Sequence, residues 1–273
     1  MQTRKIPSTG EQLPVVGVGT WRGFDVGGSS AERVPLAEVL QVLFEAGGSA
    51  IDSSPMYGKA EGVTGDLLAA AGTRDKAFLA TKVWTSGRDA GIAQMNDSFR
   101  LMRTDRIDLM QIHNLLDWQT HLPTLQAWKK AGRIRYLGVT HYTSSSHDSL
   151  VSVLKTGSFD FVQVNYSLDD RSAERRLLPF AADNGVAVLV NLPFGGGGLL
   201  RRLSPRPLPG WAAEIGCTSW AQVLLKFVLA NRAVTCTIPG TANPQHMRDN
   251  AQAGFGSYPD AALLKRMIET IGA

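Results

Sequence analysis

Cysteine is nearly absent: only Cys217 and Cys236 occur in 273 residues. That is too few for a disulfide framework, and no Cys-x-x-Cys pair or Cys/His cluster offers a metal site. Two thiols fit a reducing, cytosolic setting. Charge is sparse as well. The 28 basic and 24 acidic side chains leave a formal +4, and the basic residues occur in short pairs such as Arg175-Arg176 and Arg201-Arg202. Such scatter gives no nucleic-acid footprint, though a mild positive bias attracts an anionic cofactor. No apolar run reaches the length needed to cross a bilayer. Met1 to Gly10 lacks the apolar stretch of a secretory leader, although one removed earlier would leave no trace. The expectation is one soluble, monomeric, cytoplasmic domain over 1–273, without membrane, nucleic-acid or metal partners.

What is present is a repeated alternation. Short apolar runs rich in β-branched residues occur at 15–18, 49–52, 77–82, 107–113, 134–140, 159–165, 186–191 and 234–238. Most follow one another at roughly 26 to 32 residues, the length of one strand plus one crossover helix. Continuous apolar strands are buried on both faces, as parallel strands are. Eight such units predict a closed (β/α)8 barrel of the TIM type.

Between the runs lie segments with helical spacing, such as Pro35–Ala46, Ile92–Met102 and the amphipathic Ser219–Leu229. Asn184-Gly185 supplies a helix stop. Thr3–Pro7 and Gln12–Val15 flank Gly10-Glu11 and predict an N-terminal β-hairpin that plugs the barrel floor. From Phe194 to Gly216, four consecutive glycines precede Pro205, Pro207 and Pro209. That composition predicts a long loop after strand seven, on the face where barrel enzymes bind ligands.

Ionisable residues end three consecutive strand candidates: Asp52, with Tyr57 shortly after it, then Lys82, then His113. Strand ends converge on one barrel mouth. Carbonyl reduction needs a hydride and a proton. A phenol near pKa 10 is a weak acid at neutral pH, and an adjacent ammonium is expected to lower that pKa. Asp52 would hold Lys82 charged, and His113 would orient the carbonyl oxygen. Taken singly, Asp52 reads as a cap, Tyr57 as a rim residue, Lys82 as solvent-reaching and His113 as a core histidine. His121 and His147 read as surface residues.

The run Asp52-Ser53-Ser54-Pro55-Met56-Tyr57-Gly58, with Lys82 and His113 at these intervals, resembles the aldo-keto reductase superfamily, whose tetrad has this chain order. The likeness extends over nearly the whole chain, through Gly17-Val18-Gly19-Thr20-Trp21, Gly138-Val139-Thr140, Gln163 and Ile238-Pro239-Gly240-Thr241 to Asn250. It implies NADPH, with NADH possible, as cofactor, and small carbonyl compounds as substrates. Thr140, His141 and Gln163 would meet the nicotinamide carboxamide, near Gly19, Thr20 and Trp21. Asn191 would lie at the cofactor, and Leu192, Pro193, Phe194, Gly195 and Gly196 would cross the pyrophosphate. Ile238, Gly240, Thr241, His246, Arg248 and Asn250 would serve the adenosine end, at a helix N-terminus. Trp21, Trp84, Asn114 and Trp118 would wall the substrate pocket.

The chain departs from the family in several places. Asn191 stands where many members stack an aromatic ring, and Asn114 where many carry tryptophan. Gly240 and His246 replace basic residues that grip a 2′-phosphate, and the chain after Ala253 is short. Two other readings stay open. Lys82 could form a Schiff base in a barrel aldolase, or the protein could be a regulatory subunit that binds cofactor without turnover.

Overall fold

Side chains two apart on a strand share a face, and that period sorts this sheet. The computed structural model describes residues 1–272. A hairpin of β1 (Thr3–Lys5) and β2 (Gln12–Pro14) precedes β3 (Val18–Gly19). There follow α1 (Ser30–Glu45), β4 (Ala50–Asp52), α2 (Ala60–Ala71), β5 (Phe78–Val83), α3 (Arg88–Leu101), β6 (Ile107–His113) and α4 (Trp118–Lys130). Next are β7 (Ile134–Thr140), α5 (His147–Leu154), β8 (Phe161–Asn165), α6 (Leu177–Asp183), β9 (Ala187–Asn191) and α7 (Gly198–Leu203). The chain continues with α8 (Trp220–Ala230), β10 (Val234–Thr237), α9 (Pro244–Gln252) and α10 (Ala261–Ile271).

β3 to β10 form one parallel sheet in sequence order. Its ends meet: Gly17 N–H donates to Thr237 O, Thr237 N–H to Val15 O, and Gly19 N–H to Pro239 O. The expected first strand at 15–18 is therefore split. Its first residues bond across the seam, and only Val18–Gly19 joins the ladder with β4. Gly17 is needed there, because a Cβ would stand 2.5 Å from Ala50 O.

The inward face changes character along the barrel axis. Ala50, Phe78, Ala80, Leu109, Tyr136, Phe161, Ala187, Leu189 and Cys236 fill the lower interior, capped by Ile6 and Leu13 of the hairpin segment. Two residues further along the same inward rows stand Asp52, Lys82, Gln111, Gln163 and Asn191. The outward rows pack on the helices in a second apolar layer.

The region after β9 differs from the expected plain loop. Gly195, Gly196 and Gly197 all take positive φ, and then α7 forms. Leu199 and Leu203 lie one helical turn apart and are both buried, which holds this short helix down. With that cover, α8 is buried from Trp220 to Leu229 rather than amphipathic. Its start is fixed by Ser219, whose Oγ accepts from Gln222 N–H.

Candidate active site

Asp52 ends β4 and pairs in register with Ala80, while Lys82 on β5 pairs with Gln111 on β6. Lys82 is fully buried and donates to Asp52 Oδ2 at 2.8 Å and to Ser53 O at 2.6 Å. Asp52 Oδ1 accepts from Gln163 Nε2 at 2.8 Å and from Gln111 Nε2 at 3.2 Å. A buried ion pair is tolerable only when its remaining lone pairs are bonded, and these two amides do that. The Lys82 ammonium lies 5.0 Å from the Tyr57 ring centroid. Tyr57, on the loop after β4, stands edge-on to His113 with ring centroids 6.2 Å apart. The four side chains thus share one mouth.

Their acidities follow from burial and proximity. Burial pushes the Tyr57 phenol above its ordinary 10, and Lys82 only partly opposes it. Lys82 does pull the phenol's pKa down, as expected, but desolvation of the phenolate outweighs this one nearby ammonium and the net direction is upward. For Lys82, burial favours the neutral amine, but Asp52 and Tyr57 outweigh it and raise its pKa. His113 is pushed down to about 3 by burial first, then by Lys82 and His141. It is a neutral imidazole at physiological pH.

Around the tetrad, Trp21 lies 6.5 Å from Tyr57 and Trp84 lies 6.2 Å from His113, ring to ring. Both are exposed, and Gln94 clamps the Trp84 backbone by accepting from its N–H and donating to its carbonyl. Trp118 instead packs into the helix–sheet layer, edge-on to Phe159. Asn114 follows His113 in a left-handed conformation, with its Oδ1 buried and unpartnered. Thr20 is buried and hydrogen-bonds Asp52 O and Ser53 Oγ.

Gln163 Oε1 accepts from Thr140 Oγ1 at 3.1 Å and from Asn191 Nδ2 at 3.4 Å. Asn191 Oδ1 is buried without a partner. His141 stands at the rim and turns its Nδ1 back to its own loop, onto Tyr142 N–H and Thr143. A cavity of about 530 Å³ brings Phe194, Gly197, Gly240, Thr241, His246 and Asn250 together beside α9. That is within the size range of small-ligand sites. Asn243 caps α9, and Pro244 occupies its first turn. A Cβ at Gly196, Gly197 or Gly198 would meet nothing within 4 Å, so the backbone there is open to a ligand. Exposed backbone amides, a helix N-terminus and an orphaned amide oxygen suit a dinucleotide of the nicotinamide type. Arg248 is not part of this wall; it bonds Gln245 on the same helix.

Some residues at the site were not singled out from sequence. Gln111 lies two positions before His113, so strand period placed it on the same face. Ser54 lay inside the tetrad run. Asp249, in the cavity beside α9, accepts from Ser219 Oγ and Gln222 Nε2, a contact between distant segments without a local signature. His121 and His147 are buried rather than superficial. His121 Nε2 bonds Thr85 O, and His147 Nε2 bonds Asn165 Oδ1.

A model of the Aldo/keto reductase family matches residues 15–263. The chain belongs to the aldo/keto reductase family. It is 30% identical over 92% of its length, and 89% of the relative's, to a methylglyoxal reductase of Escherichia coli. It is 25% identical to an NADH-specific methylglyoxal reductase of the same organism, covering 98% of this chain and 99% of that one. Among solved structures, an aldo/keto reductase from Klebsiella pneumoniae in complex with NADP and acetate superposes with a TM-score of 0.83. It is 25% identical, covering 99% of this chain and 95% of that one. As an aldo/keto reductase, the protein is an NAD(P)H-dependent oxidoreductase on a (β/α)8 barrel.

Proposed function

We propose that this protein reduces aldehydes or ketones to alcohols, with Tyr57 as the proton donor. The observation that carries this reading is the buried Asp52–Lys82 pair with its ammonium against the Tyr57 ring. A phenol held protonated through neutral pH has the proton that reduction consumes. Lys82 stabilises the phenolate left after transfer, and Asp52 keeps Lys82 charged. His113, neutral, hydrogen-bonds the carbonyl oxygen. Bound NADPH or NADH supplies the hydride.

Thr140, Gln163 and Asn191 would hold the nicotinamide end, with Gly19, Thr20, Trp21 and His141 beside it. Leu192 to Gly196 would cross the pyrophosphate. Ile238, Gly240, Thr241, His246 and Asn250 would hold the adenosine end. NADPH is favoured because Arg206, whose guanidinium has no ion pair among the described residues, lines the adenosine-side cavity. The curated relatives named methylglyoxal reductases make small 2-oxoaldehydes the first substrates to try. Trp21 and Trp84 would wall the substrate side. Two buried, unpaired thiols suit a cytosolic enzyme.

An aldolase reading fits less well. A Schiff base needs a neutral amine, and Lys82 is held as an ammonium by Asp52 and Ser53 O. Tyr57→Phe should bind NADPH with unchanged affinity by fluorescence titration while losing about 10²–10⁴-fold in kcat. Full turnover in that variant would remove Tyr57 from its role.

A further inference from the structure

We propose that Ser54 is a positioning residue that fixes the tautomer of His113, so that Nε2 carries the proton and faces the carbonyl oxygen as a donor. This rests on the reading of His113 given above, and it concerns a residue outside the tetrad.

Ser54 is wholly buried, and its Oγ lies 3.2 Å from His113 Nδ1. That Oγ already accepts from Met56 N–H at 3.4 Å. Among the described residues, the only acceptor in reach of the Ser54 hydroxyl proton is His113 Nδ1. Leaving a buried hydroxyl proton unbonded costs about 1–3 kcal/mol. The proton therefore points to Nδ1, and Nδ1 is the acceptor.

A neutral imidazole carries one N–H. His113 stays neutral, being pushed down to about 3. With Nδ1 accepting, the single ring proton sits on Nε2. No hydrogen bond occupies Nε2 among the described residues, and the atom is not sealed from solvent. The opposite tautomer fails twice. It would strand the Ser54 proton, and it would aim a lone pair at the carbonyl oxygen. The Tyr57 and Trp84 rings stand 6.2 Å from the imidazole, centroid to centroid, and neither hydrogen-bonds one of its nitrogens to choose between them.

The test is nitrogen NMR of the [15N]histidine-labelled protein near pH 7, with the His113 signals assigned by their loss in His113→Asn. The expected spectrum shows His113 as the Nε2–H tautomer alone. A predominant Nδ1–H tautomer would overturn the proposal, whatever the enzyme's activity. Ser54→Ala should convert His113 to a tautomer mixture and lower kcat about tenfold, with the NADPH dissociation constant unchanged. A pure Nε2–H tautomer in Ser54→Ala would also overturn it. The underlying reading of His113 is checked separately. Wild-type-like kcat in His113→Asn would refute that reading and leave the Ser54 tautomer result standing.

Discussion

Asp52 is bonded on both carboxylate oxygens, one by an ammonium and the other by two carboxamides. Removing Lys82 leaves that charge buried with amides alone. Lys82→Met should therefore cost about 3–5 kcal/mol in urea unfolding. It should also raise the Tyr57 phenol further, since the one opposing charge is lost. In the intact enzyme the raised phenol has a directional consequence. Reduction needs the phenol and should stay flat through neutral pH, whereas alcohol oxidation needs the phenolate. Its kcat/KM should still be rising at pH 10; a plateau by pH 8 would contradict the desolvated phenol. Glu61 gives a second titration. It is buried, bonded by Thr81, and burial raises its pKa above the ordinary 4.5. The folded state thus holds the proton more tightly than the unfolded chain. Its stabilisation is complete below about pH 4.5 and is lost as pH rises through the raised value. Glu61→Gln should remove that decline in a stability–pH series. A decline of unchanged slope would show that Glu61 is not its source.

Elements, rather than single side chains, decide how the mouth is shaped. Backbone with positive φ at non-glycine positions gathers after β6, at Asn114, Leu115 and Asp117, and after β9, at Leu192. Such conformations cost about 1–3 kcal/mol each and persist where surrounding packing imposes them, often at functional sites. In the glycine run the division is by residue. Gly197 takes φ +87°, while Gly198 opens α7 with φ −66°. Gly197→Ala should lose about 1 kcal/mol, whereas Gly198→Ala should gain roughly 0.4–1 kcal/mol. Equal Tm shifts for the two would refute this account of the loop. The composition of this segment favoured turns over helix, and that much was legible. The short α7 was not, because its stability comes from burying Leu199 and Leu203 under the rest of the fold rather than from propensity.

At the scale of the whole molecule, the barrel separates stability from chemistry along its axis. The hairpin closes the floor, where Glu11 pairs with Arg135 and accepts from Tyr136 Oη at 2.5 Å. The tetrad occupies the opposite end. Glu11→Ala should lower stability by about 1 kcal/mol while leaving the NADPH dissociation constant and kcat unchanged; altered cofactor affinity would mean the two ends are coupled. The sequence by itself determined the eight-unit barrel, the hairpin and the tetrad's chain order. Strand period and unit length are local quantities, and Asp52, Tyr57, Lys82 and His113 lie on or just after strand ends that any closed barrel brings together. Only the tertiary structure decided the rest: the raised phenol of Tyr57, the amides on Asp52, the buried His121 and His147, and the Ser54 contact with His113. Each depends on how far water is excluded, or on which atoms of distant segments meet. Those distances are set by packing across strands and have no counterpart in spacing along the chain.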